Sequence, residues 1–501
     1  MVRWPLADAA TAMGAHWGGA PDAAFDGAAL DSREVRGGEL FFALPGERTD
    51  GHRFVPQALA AGAAAAVVAE AVEAPDESLV RVGDTTGALH ALTRRVRERV
   101  PEKLIAVTGS AGKTTTKELL GAMVGRRFRV ARSPGNLNNL LGFPLALLNI
   151  PDATEWMVAE MGMSVPGELA EVSRLGRPDA ALFTNVRPVH LENFADLDAI
   201  AEAKAELLAG LAPGGLVIAN AADPRVAVIA RRALDDGSAG RVAWYAADPE
   251  AEEVEVSGLD VWAERVETLA GGGSRFALCA RGAGGEDVAV ERIAVELPLI
   301  GRHNVENCVA AAAAAHALRV PLAGVAAAAA AAWPSPGRGV VHALPGGIRV
   351  VDDTYNSNPD ALRYALATAA ALAAARPGGR RWAVLGSMLE LGAGSPGFHR
   401  EAGERAAAAG FSPVAAVGEE ARELAAAAAA AGAETAWLPD AAAAADWAAA
   451  RLAPGDTVLV KGSRGIGLEA VVARLLAEGH DNGSAAAAGA AAGAGGGGGT
   501  G

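Results

Sequence analysis

A glycine-rich turn between two regularly patterned segments constrains the fold of this chain more than any other feature. The residues before it, LIAVTG (104–109), have the apolar composition of a buried strand, and those after it, KTTTKELLGAMVG (113–125), have the pattern of a helix. A turn of this kind places backbone N–H groups at the N-terminus of a helix, where they can bind phosphate oxygens. The sequence therefore predicts the opening of a nucleotide-binding domain with a parallel sheet.

The side chains of this turn suit a nucleotide and its metal ion. Lys113 can reach the terminal phosphates, and the hydroxyl of Thr114 or Thr115 can bind Mg²⁺. Val107 stands where the general phosphate-loop pattern has its first glycine, and this shorter form points away from GTPases and motor proteins. An ordinary glycine-rich turn is the alternative. The whole candidate phosphate loop comprises Gly109, Ser110, Ala111, Gly112, Lys113, Thr114 and Thr115.

The alternation of apolar strands with helices predicts an α/β protein of three domains. Strand candidates are WMVAEM, AALFTNV and GLVIAN in the middle of the chain, and IRVVDD, RWAVLG, PVAAVG and DTVLVKG further on. With 501 residues the chain has room for several cores. We expect a smaller mixed α/β domain (1–95), a central phosphate-loop ATPase domain with a parallel sheet (96–333), a C-terminal doubly wound Rossmann-like domain (334–480) and a disordered tail (481–501).

Charge and cysteine content exclude several classes of protein. A formal net charge of −15 is unfavourable for a general nucleic-acid binder, which needs a basic surface. Cys279 and Cys308 are the two cysteines and lie outside any CxxC pattern, so neither a disulfide framework nor a cysteine zinc site is expected. The N-terminal residues contain no long apolar stretch. We expect a cytoplasmic protein with no membrane insertion and no nucleic-acid partner.

Lysine is rare in this chain, since only five of its 44 basic residues are lysine. Because arginine supplies most of the positive charge, a retained lysine indicates a task that a guanidinium cannot perform, such as point-charge contact with phosphate or amine chemistry. Lys113, Lys204 and Lys461 fall within motifs. For Lys103 and Lys117, retention by chance remains an equal alternative.

Three residues of the central domain are candidates for metal binding, two near the ends of predicted strands and one on a predicted helix. Glu160 ends the strand WMVAE, and His190 follows AALFTNV in the segment TNVRPVHLENF. Strand ends of this kind present functional side chains to a nucleotide, so Glu160 is a candidate Mg²⁺ ligand. Lys204 lies on the predicted helix AIAEAKAELL. Taken singly, each has a structural alternative, which for Lys204 is an exposed Glu/Lys helix surface.

Together these motifs resemble those of the Mur ligase family. TGSAGKTTTKELL is followed by GNLNN (135–139), GRHNVEN (301–307) and DDTYNSNP (352–359). GNLNN and DDTYNSNP are similar to segments of the branch that adds D-alanyl-D-alanine. The resemblance extends from about residue 28 to about residue 470. The chain departs from the family pattern at Val189 and Ser387, where Ala and Asp are usual, and in the residues after Arg338.

The resemblance implies a role for each motif. Catalytic roles fall to Lys113, His190 and a carbamylated Lys204, and Mg²⁺ ligands would be Thr114, Glu160, His190 and Lys204. ATP would contact the phosphate loop, Asn304, Asn307 and Arg338. The substrates would contact Ser32, Arg33, Asn136, Asn138, Asn139, Asp353, Asn356, Asn358 and Lys461. Turn formation or helix capping is the alternative for the asparagine-rich segments.

The reaction implied by the resemblance is ATP-dependent formation of an amide bond. The terminal carboxylate of UDP-MurNAc-tripeptide would become an acyl phosphate, and the amine of D-alanyl-D-alanine would attack it, in the synthesis of peptidoglycan precursors for cell shape and division. A monomer is expected. The alternatives are another Mur-type or folylpolyglutamate-type ligase, or a non-catalytic UDP-sugar-binding scaffold. The sequence does not distinguish diaminopimelate from lysine at the third peptide position.

Overall fold

The computed structural model describes residues 3–46, 49–100, 102–282, 289–375 and 378–478. These residues form three α/β units, each with its own sheet, which confirms the predicted fold class. The tail predicted at 481–501 lies outside the described residues. Within the part of the chain that the structure describes, no helix is long and apolar enough to span a membrane.

The N-terminal unit is the smallest of the three. Its elements are β1 (Arg3–Pro5), α1 (Leu6–Ala12), β2 (Ala24–Asp26), β3 (Ala28–Ala29), β4 (Leu40–Phe42), α2 (Val55–Ala60), β5 (Ala65–Val68), β6 (Leu79–Arg81) and α3 (Thr85–Arg99). Strands β3, β4, β5 and β6 form a parallel sheet in that order, and β1 pairs with β2 antiparallel. Phe41 and Phe42 point to opposite faces of the sheet and are both buried, so apolar cores cover both faces.

The central unit is built on a nine-stranded sheet. Its elements are β7 (Lys103–Thr108), α4 (Lys113–Val124), β8 (Val130–Arg132), α5 (Gly142–Leu148), β9 (Trp156–Glu160), α6 (Glu168–Gly176), β10 (Ala180–Phe183), α7 (Leu197–Ala205), β11 (Leu216–Asn220), α8 (Pro224–Asp235), β12 (Arg241–Ala246), β13 (Val261–Thr268), β14 (Ser274–Arg281), β15 (Val290–Leu297), α9 (His303–Ala317) and α10 (Leu322–Ala330). The strand order is β15-β14-β13-β12-β11-β10-β7-β9-β8. Neighbours from β8 to β13 are parallel, whereas β13, β14 and β15 form an antiparallel meander.

Helices cover both faces of the central sheet. Helices α4, α9 and α10 pack on one face, and α5, α6, α7 and α8 pack on the other. In α9 the six consecutive alanines 310–315 are each at most 1% exposed, because this helix is apolar on every side and is enclosed by the sheet and α4. Small side chains let the backbones approach closely there, which explains the Ala-rich sequence.

The C-terminal unit has a six-stranded sheet. Its elements are β16 (Val340–Leu344), β17 (Ile348–Asp353), α11 (Pro359–Ala374), β18 (Arg381–Gly386), α12 (Ser395–Ala408), β19 (Val414–Val417), α13 (Arg422–Ala430), β20 (Thr435–Leu438), α14 (Ala441–Ala449) and β21 (Thr457–Lys461), and a further helix covers 469–478. The strand order is β16-β17-β21-β18-β19-β20, and all neighbours are parallel except the edge pair β16-β17. This is the doubly wound sheet that the sequence predicted.

Several details differ from the sequence-based expectation. The boundary expected at residue 95 falls inside α3, which continues to Arg99. The strands that were not predicted are β1, β2, β3, β6, β8, β12, β16 and β20. For β16 the reason is physical: most of its residues are half-buried, as at the edge of a sheet, so VVHAL lacks the continuous apolar run of the inner strands.

A buried arginine joins the N-terminal unit to the central one. Arg97, near the end of α3, donates hydrogen bonds to the carbonyl oxygens of Gly176 (2.7 Å), Glu102 (2.8 Å) and Arg177 (3.2 Å) and to Oδ2 of Asp179 (3.1 Å). Burial lowers the pKa of its guanidinium, although the nearby Asp179 acts in the opposite direction. Because the guanidinium is buried, loss of these contacts would leave several polar groups unpaired.

We expect Arg97→Ala to lower the free energy of unfolding by about 2 kcal/mol or more, since it removes hydrogen bonds to a charged group and leaves buried acceptors unpaired. Urea-induced unfolding followed by tryptophan fluorescence would measure the change. The matched control is Arg95→Ala on the same helix, because Arg95 is 43% exposed and pairs only across one turn with Glu98. We expect the control to change stability by less than about 0.5 kcal/mol. Equal effects of the two changes would show that Arg97 does not hold the units together.

Candidate active site

A cleft of about 380 Å³ lies between the central and C-terminal units. On the central side it is bordered by the carboxyl ends of β10, β7 and β9, which are adjacent and parallel in the sheet. On the opposite side it is bordered by the ends of β17 and β21 and the start of α11. Functional groups of parallel α/β sheets concentrate at such strand ends, so the fold itself brings two sets of polar residues face to face.

The candidate phosphate loop has a backbone that only glycine can supply at two positions. Gly109 and Gly112 have φ values of +145° and +83°. A Cβ would lie 1.9 Å from Oγ1 of Thr184 at the first position and 2.1 Å from Oδ1 of Asn307 at the second. The loop therefore packs against the segment after β10 on one side and α9 on the other. This packing leaves no space for larger residues.

The lysine of the loop is half-buried and lies near a carboxylate. Nζ of Lys113 donates a hydrogen bond to the carbonyl oxygen of Gly109 at 2.9 Å. Burial lowers the pKa of this amine, the nearby Glu160 raises it, and the positive Arg338 lowers it further. The side chain of Lys113 thus folds back over the start of its own loop.

A hydroxyl and a carboxylate form the centre of the site. Oγ1 of Thr114 donates to Oε2 of Glu160 at 2.7 Å, and Nδ2 of Asn138 donates to Oε1 of the same carboxylate at 2.8 Å. Glu160 is 4% exposed. From the C-terminal unit, Nη2 of Arg338 donates to Oγ1 of Thr114 at 2.9 Å, and its guanidinium stacks 3.8 Å from the ring centre of Tyr355. These contacts connect the two sides of the cleft.

A second group of candidates lies nearby on the loop after β10 and on α7. His190 has a φ of +53°, and its Nδ1 is 2.5 Å from Oε2 of Glu390 in the C-terminal unit. Lys204 is 3% exposed in the last turn of α7. Burial, followed by the charge of Lys113, holds the pKa of Lys204 well below its usual range. Because Lys204 is buried, the exposed-surface alternative is wrong. No hydrogen bond or ion pair joins its amine to any other residue in the described ranges.

Polar residues of α9 close the cleft beneath the loop. Nδ2 of Asn304 donates to the carbonyl oxygen of Ile300 at 2.8 Å, and Nδ2 of Asn307 donates to Oδ1 of Asn304 at 2.9 Å. The N-cap of α9 is Arg302, so the alternative interpretation of Asn304 as an N-cap is wrong. The two amides instead form a chain that supports the phosphate loop from below.

Glu306 of the same helix turn was not predicted. Its Oε1 accepts hydrogen bonds from Nδ2 of Asn185 and Nδ2 of Asn220, both at 3.2 Å. Burial raises the pKa of this carboxyl, and the two amide contacts lower it. Asn185 also binds the N–H of Ala111 in the phosphate loop. The position of Asn185 near the end of the predicted strand AALFTNV was a signal, whereas nothing in the sequence marked Glu306.

The C-terminal side of the cleft presents an ion pair between a buried lysine and a half-buried aspartate. Asp353 and Lys461 end the neighbouring strands β17 and β21 in register, and Nζ of Lys461 donates to Oδ2 of Asp353 at 2.7 Å and to the carbonyl oxygen of Asn356 at 2.8 Å. Lys461 is 2% exposed. Oδ1 of Asn358 accepts a hydrogen bond from the N–H of Ala361 and caps the N-terminus of α11. For Asn358, the alternative of helix capping is therefore correct.

The structure brings together all but two of the residues predicted for the site. Those that line the cleft are residues 109–115, Asn136, Asn138, Asn139, Glu160, His190, Lys204, Asn304, Asn307, Arg338, Asp353, Asn356, Asn358 and Lys461. Ser32 and Arg33 lie in the N-terminal unit, outside the cleft. Ser32 is buried with its hydroxyl on Gln57, and Arg33 is exposed and paired with Asp31.

Comparison with known proteins gives matches to three domain families along the chain. The Mur ligase family catalytic domain matches residues 25–121, the Mur ligase middle domain matches 107–315, and the Mur ligase glutamate ligase domain matches 337–464. These ranges contain every residue described above for the cleft.

Curated relatives are similar over most of the length of the chain. A UDP-N-acetylmuramoyl-tripeptide--D-alanyl-D-alanine ligase of Synechocystis is 34% identical over 460 residues, with 89% of this chain and 91% of the relative covered. The enzyme of the same name from Escherichia coli is 33% identical over 407 residues, with 80% and 83% covered.

Solved structures show the same architecture. MurF from Acinetobacter baumannii superimposes with a TM-score of 0.80 at 30% identity, covering 95% of this chain and 99% of that one. MurF ligase from Thermotoga maritima in complex with ADP superimposes with a TM-score of 0.73 at 28% identity, covering 91% and 98%. From the matched domains and the extent of these similarities, the chain belongs to the Mur ligase family.

Proposed function

We propose that this chain is an ATP-dependent, ADP-forming ligase that joins D-alanyl-D-alanine to UDP-MurNAc-tripeptide in peptidoglycan precursor synthesis. The observation that carries the proposal is the hydrogen bond from Arg338 to Thr114, which brings the C-terminal unit against the phosphate loop. The relatives that match most of the chain carry the name of this activity. A reaction between a nucleotide held on one unit and a peptide held on the other requires such a cleft.

ATP is the substrate that the central side of the cleft fits. The backbone of the phosphate loop at the start of α4 would hold its phosphates, and Lys113 and Arg338 would stabilise negative charge on the γ-phosphoryl group during transfer. The carboxylate oxygen of the tripeptide attacks the γ-phosphorus, the bond to the bridging oxygen breaks, and ADP leaves. Asn304 and Asn307, beneath the loop, would orient the nucleoside.

An acyl phosphate produced in this way would react with the dipeptide. The free amine of D-alanyl-D-alanine attacks the acyl carbon, the tetrahedral centre collapses with loss of inorganic phosphate, and the ammonium proton passes to solvent or phosphate. Asp353 and Lys461, with Asn356 and Asn358 beside them, are the proposed contacts for the dipeptide. Water must be excluded while the acyl phosphate exists, and the contacts of Arg338 with Thr114 and of Glu390 with His190 cross the cleft as closure requires.

The donor set of the cleft fits Mg²⁺. Thr114 and Glu160 place a hydroxyl and a carboxylate oxygen 2.7 Å apart, and oxygen is the ligand that Mg²⁺ prefers. When bound, the ion would neutralise charge on the transferring phosphoryl group. His190 and Lys204 line the same cleft, near enough to Lys113 for its charge to lower the pKa of each, and we assign them to a second ion.

Lys204 suits conversion to a carbamate. Lys204 is buried, Lys113 is half-buried, and the two are close enough for the charge of Lys113 to lower the pKa of Lys204, so two like charges would be unfavourable there. Addition of CO₂ to the neutral amine of Lys204 forms an N–C bond and releases one proton, which replaces a potential cation by an anion. An anion at this position would both relieve the repulsion and hold a metal ion.

The remaining parts of the proposal concern the setting of the reaction. Asn136, Asn138 and Asn139 are proposed to contact the sugar-peptide, and Ser32 and Arg33 its UDP end. Cys279 and Cys308 are free and buried, in keeping with a cytoplasmic enzyme. We propose that the chain acts as a monomer.

Phosphate release by the purified chain with ATP, Mg²⁺ and UDP-MurNAc-tripeptide should depend on added D-alanyl-D-alanine, and mass spectrometry should show the ligated product. Both the diaminopimelate and the lysine tripeptide should be supplied. We expect Lys113→Met to lower the rate by roughly 100-fold or more, because charge stabilisation at the γ-phosphate is lost. Lys103→Met is the matched control, since Lys103 is exposed and lies against Trp156. Phosphate release that is independent of the dipeptide would refute the proposed reaction.

The carbamate can be detected without turnover. In the presence of ¹³C-bicarbonate, the wild-type chain should show a carbamate carbon signal by NMR that is absent from Lys204→Arg, because a guanidinium does not capture CO₂. Lys103→Arg should leave the signal unchanged. A spectrum of the wild-type chain without this signal would contradict the assignment of Lys204.

A further inference from the structure

Lys117 is a buried cation whose role the proposed reaction does not explain. It lies on α4 one turn beyond Lys113, and its side chain is fully buried. Its Nζ donates to the carbonyl oxygen of Ser133 at 2.6 Å and to that of Gly135 at 3.3 Å, and lies 3.1 Å from Oε1 of Glu118. The two carbonyl groups accept hydrogen bonds from this ammonium, and the carboxylate of Glu118 forms an ion pair with it, so the buried charge is both hydrogen-bonded and paired.

The two carbonyl groups belong to the start of the loop that connects β8 with α5, which we call the asparagine loop (133–141). Gly135 has a φ of +49°, so the chain turns directly at the residue whose carbonyl Lys117 holds. Oγ of Ser133 accepts a hydrogen bond from the backbone N–H of Glu160 at 3.1 Å. The loop start is therefore tied to α4 by Lys117 and to the end of β9 by Ser133.

The far part of the same loop returns to the nucleotide side of the cleft. Nδ2 of Asn138 donates to Oε1 of Glu160 at 2.8 Å, and the carbonyl oxygen of Asn138 accepts from the N–H of Gly162 at 2.8 Å. Oε2 of Glu160 in turn accepts from Thr114, which lies three residues before Lys117 on α4. The contacts thus form a closed ring from α4 through the asparagine loop and Glu160 back to α4.

The ring explains why a lysine is retained here in a chain that otherwise uses arginine. A compact ammonium can converge on two carbonyl groups and one carboxylate at a site without solvent, whereas a planar guanidinium is larger and directs its donors outward in a fork. Chance retention is therefore not needed to account for Lys117. Lys103, by contrast, is exposed and has no comparable set of acceptors among the described residues.

We propose that Lys117 is a positioning residue, which acts through the carbonyl groups of Ser133 and Gly135 to hold the asparagine loop so that Asn138 fixes Glu160 beside the Thr114 hydroxyl. Lys117 does not touch substrate. The consequence for the reaction rests on the proposed function, because Glu160 is the residue assigned there to Mg²⁺. The position of the loop itself does not depend on that function.

Hydrogen–deuterium exchange of the full chain without ligands tests the structural part. In Lys117→Met, which keeps the length of the side chain and removes the donors, we expect amides of 133–142 to exchange roughly tenfold faster or more, as follows from loss of hydrogen bonds to a charged group. Exchange in β17, β18 and β21 should stay unchanged. Lys117→Arg should not restore protection, and Lys103→Met should match the wild-type chain. A folded Lys117→Met variant with wild-type exchange in 133–142 would overturn the proposal.

Steady-state kinetics tests the effect on the site. A rise of about tenfold in KM for Mg·ATP, with a smaller change in kcat, is expected for Lys117→Met, and the calorimetric affinity for Mg·ADP should fall in parallel. Asn138→Ala, at the other end of the ring, should do the same, and the double variant should be no worse than the single ones because they interrupt one ring. If Lys117→Met does not fold, the Asn138→Ala variant provides the test. An affinity of Asn138→Ala for Mg·ADP equal to that of the wild-type chain would refute the role of the ring. An inactive wild-type chain would refute the proposed function alone, since exchange and nucleotide binding need no turnover.

Discussion

The hydroxyl of Thr114 is the point on which the geometry of the site depends. It donates to Glu160 within the central unit and accepts from Arg338 of the C-terminal unit, so one small group connects a strand end, a helix start and a second domain. Each of these partners is itself held: Glu160 by Asn138, and Arg338 by stacking on Tyr355. Two sheets can therefore present one chemical site, because their strand ends meet at shared polar contacts, beside which Ile300 of the central unit packs into the apolar core of the C-terminal unit.

The sequence predicted those parts of the site that depend on local backbone requirements. Gly109 and Gly112 could be recognised because close packing and positive φ admit only glycine, and Lys113 and Thr114 follow them at fixed spacing. The class and number of the domains also followed from the sequence, since buried parallel strands are continuous apolar runs such as LIAV and TVLV. Lys204 was marked by composition, because lysine is rare in this chain, and its burial supports that distinction.

Residues whose role depends on distant partners could not be predicted in the same way. Glu306 gains its two amide contacts only when β10, β11 and α9 meet, and Glu390 meets His190 only across the cleft. The interpretation of Asn304 as an N-cap used only the local sequence and was wrong. Helix α9 already begins at His303, and the side-chain amide of Asn304 donates to the carbonyl oxygen of Ile300. Ser32 and Arg33 remain predictions, since the cleft does not include them.

The alanine-filled interior of α9 has a mechanical consequence. Between 310 and 315 the helix touches sheet and neighbouring helix through methyl groups alone, and these have no rotamers with which to adjust to a shift. Helix α9 therefore cannot slide or rotate without creating steric overlap or a cavity along much of its length. Its first turn, which carries Asn304 and Asn307, is therefore held in place against the central sheet, and the position of these two amides is set by the core of the domain.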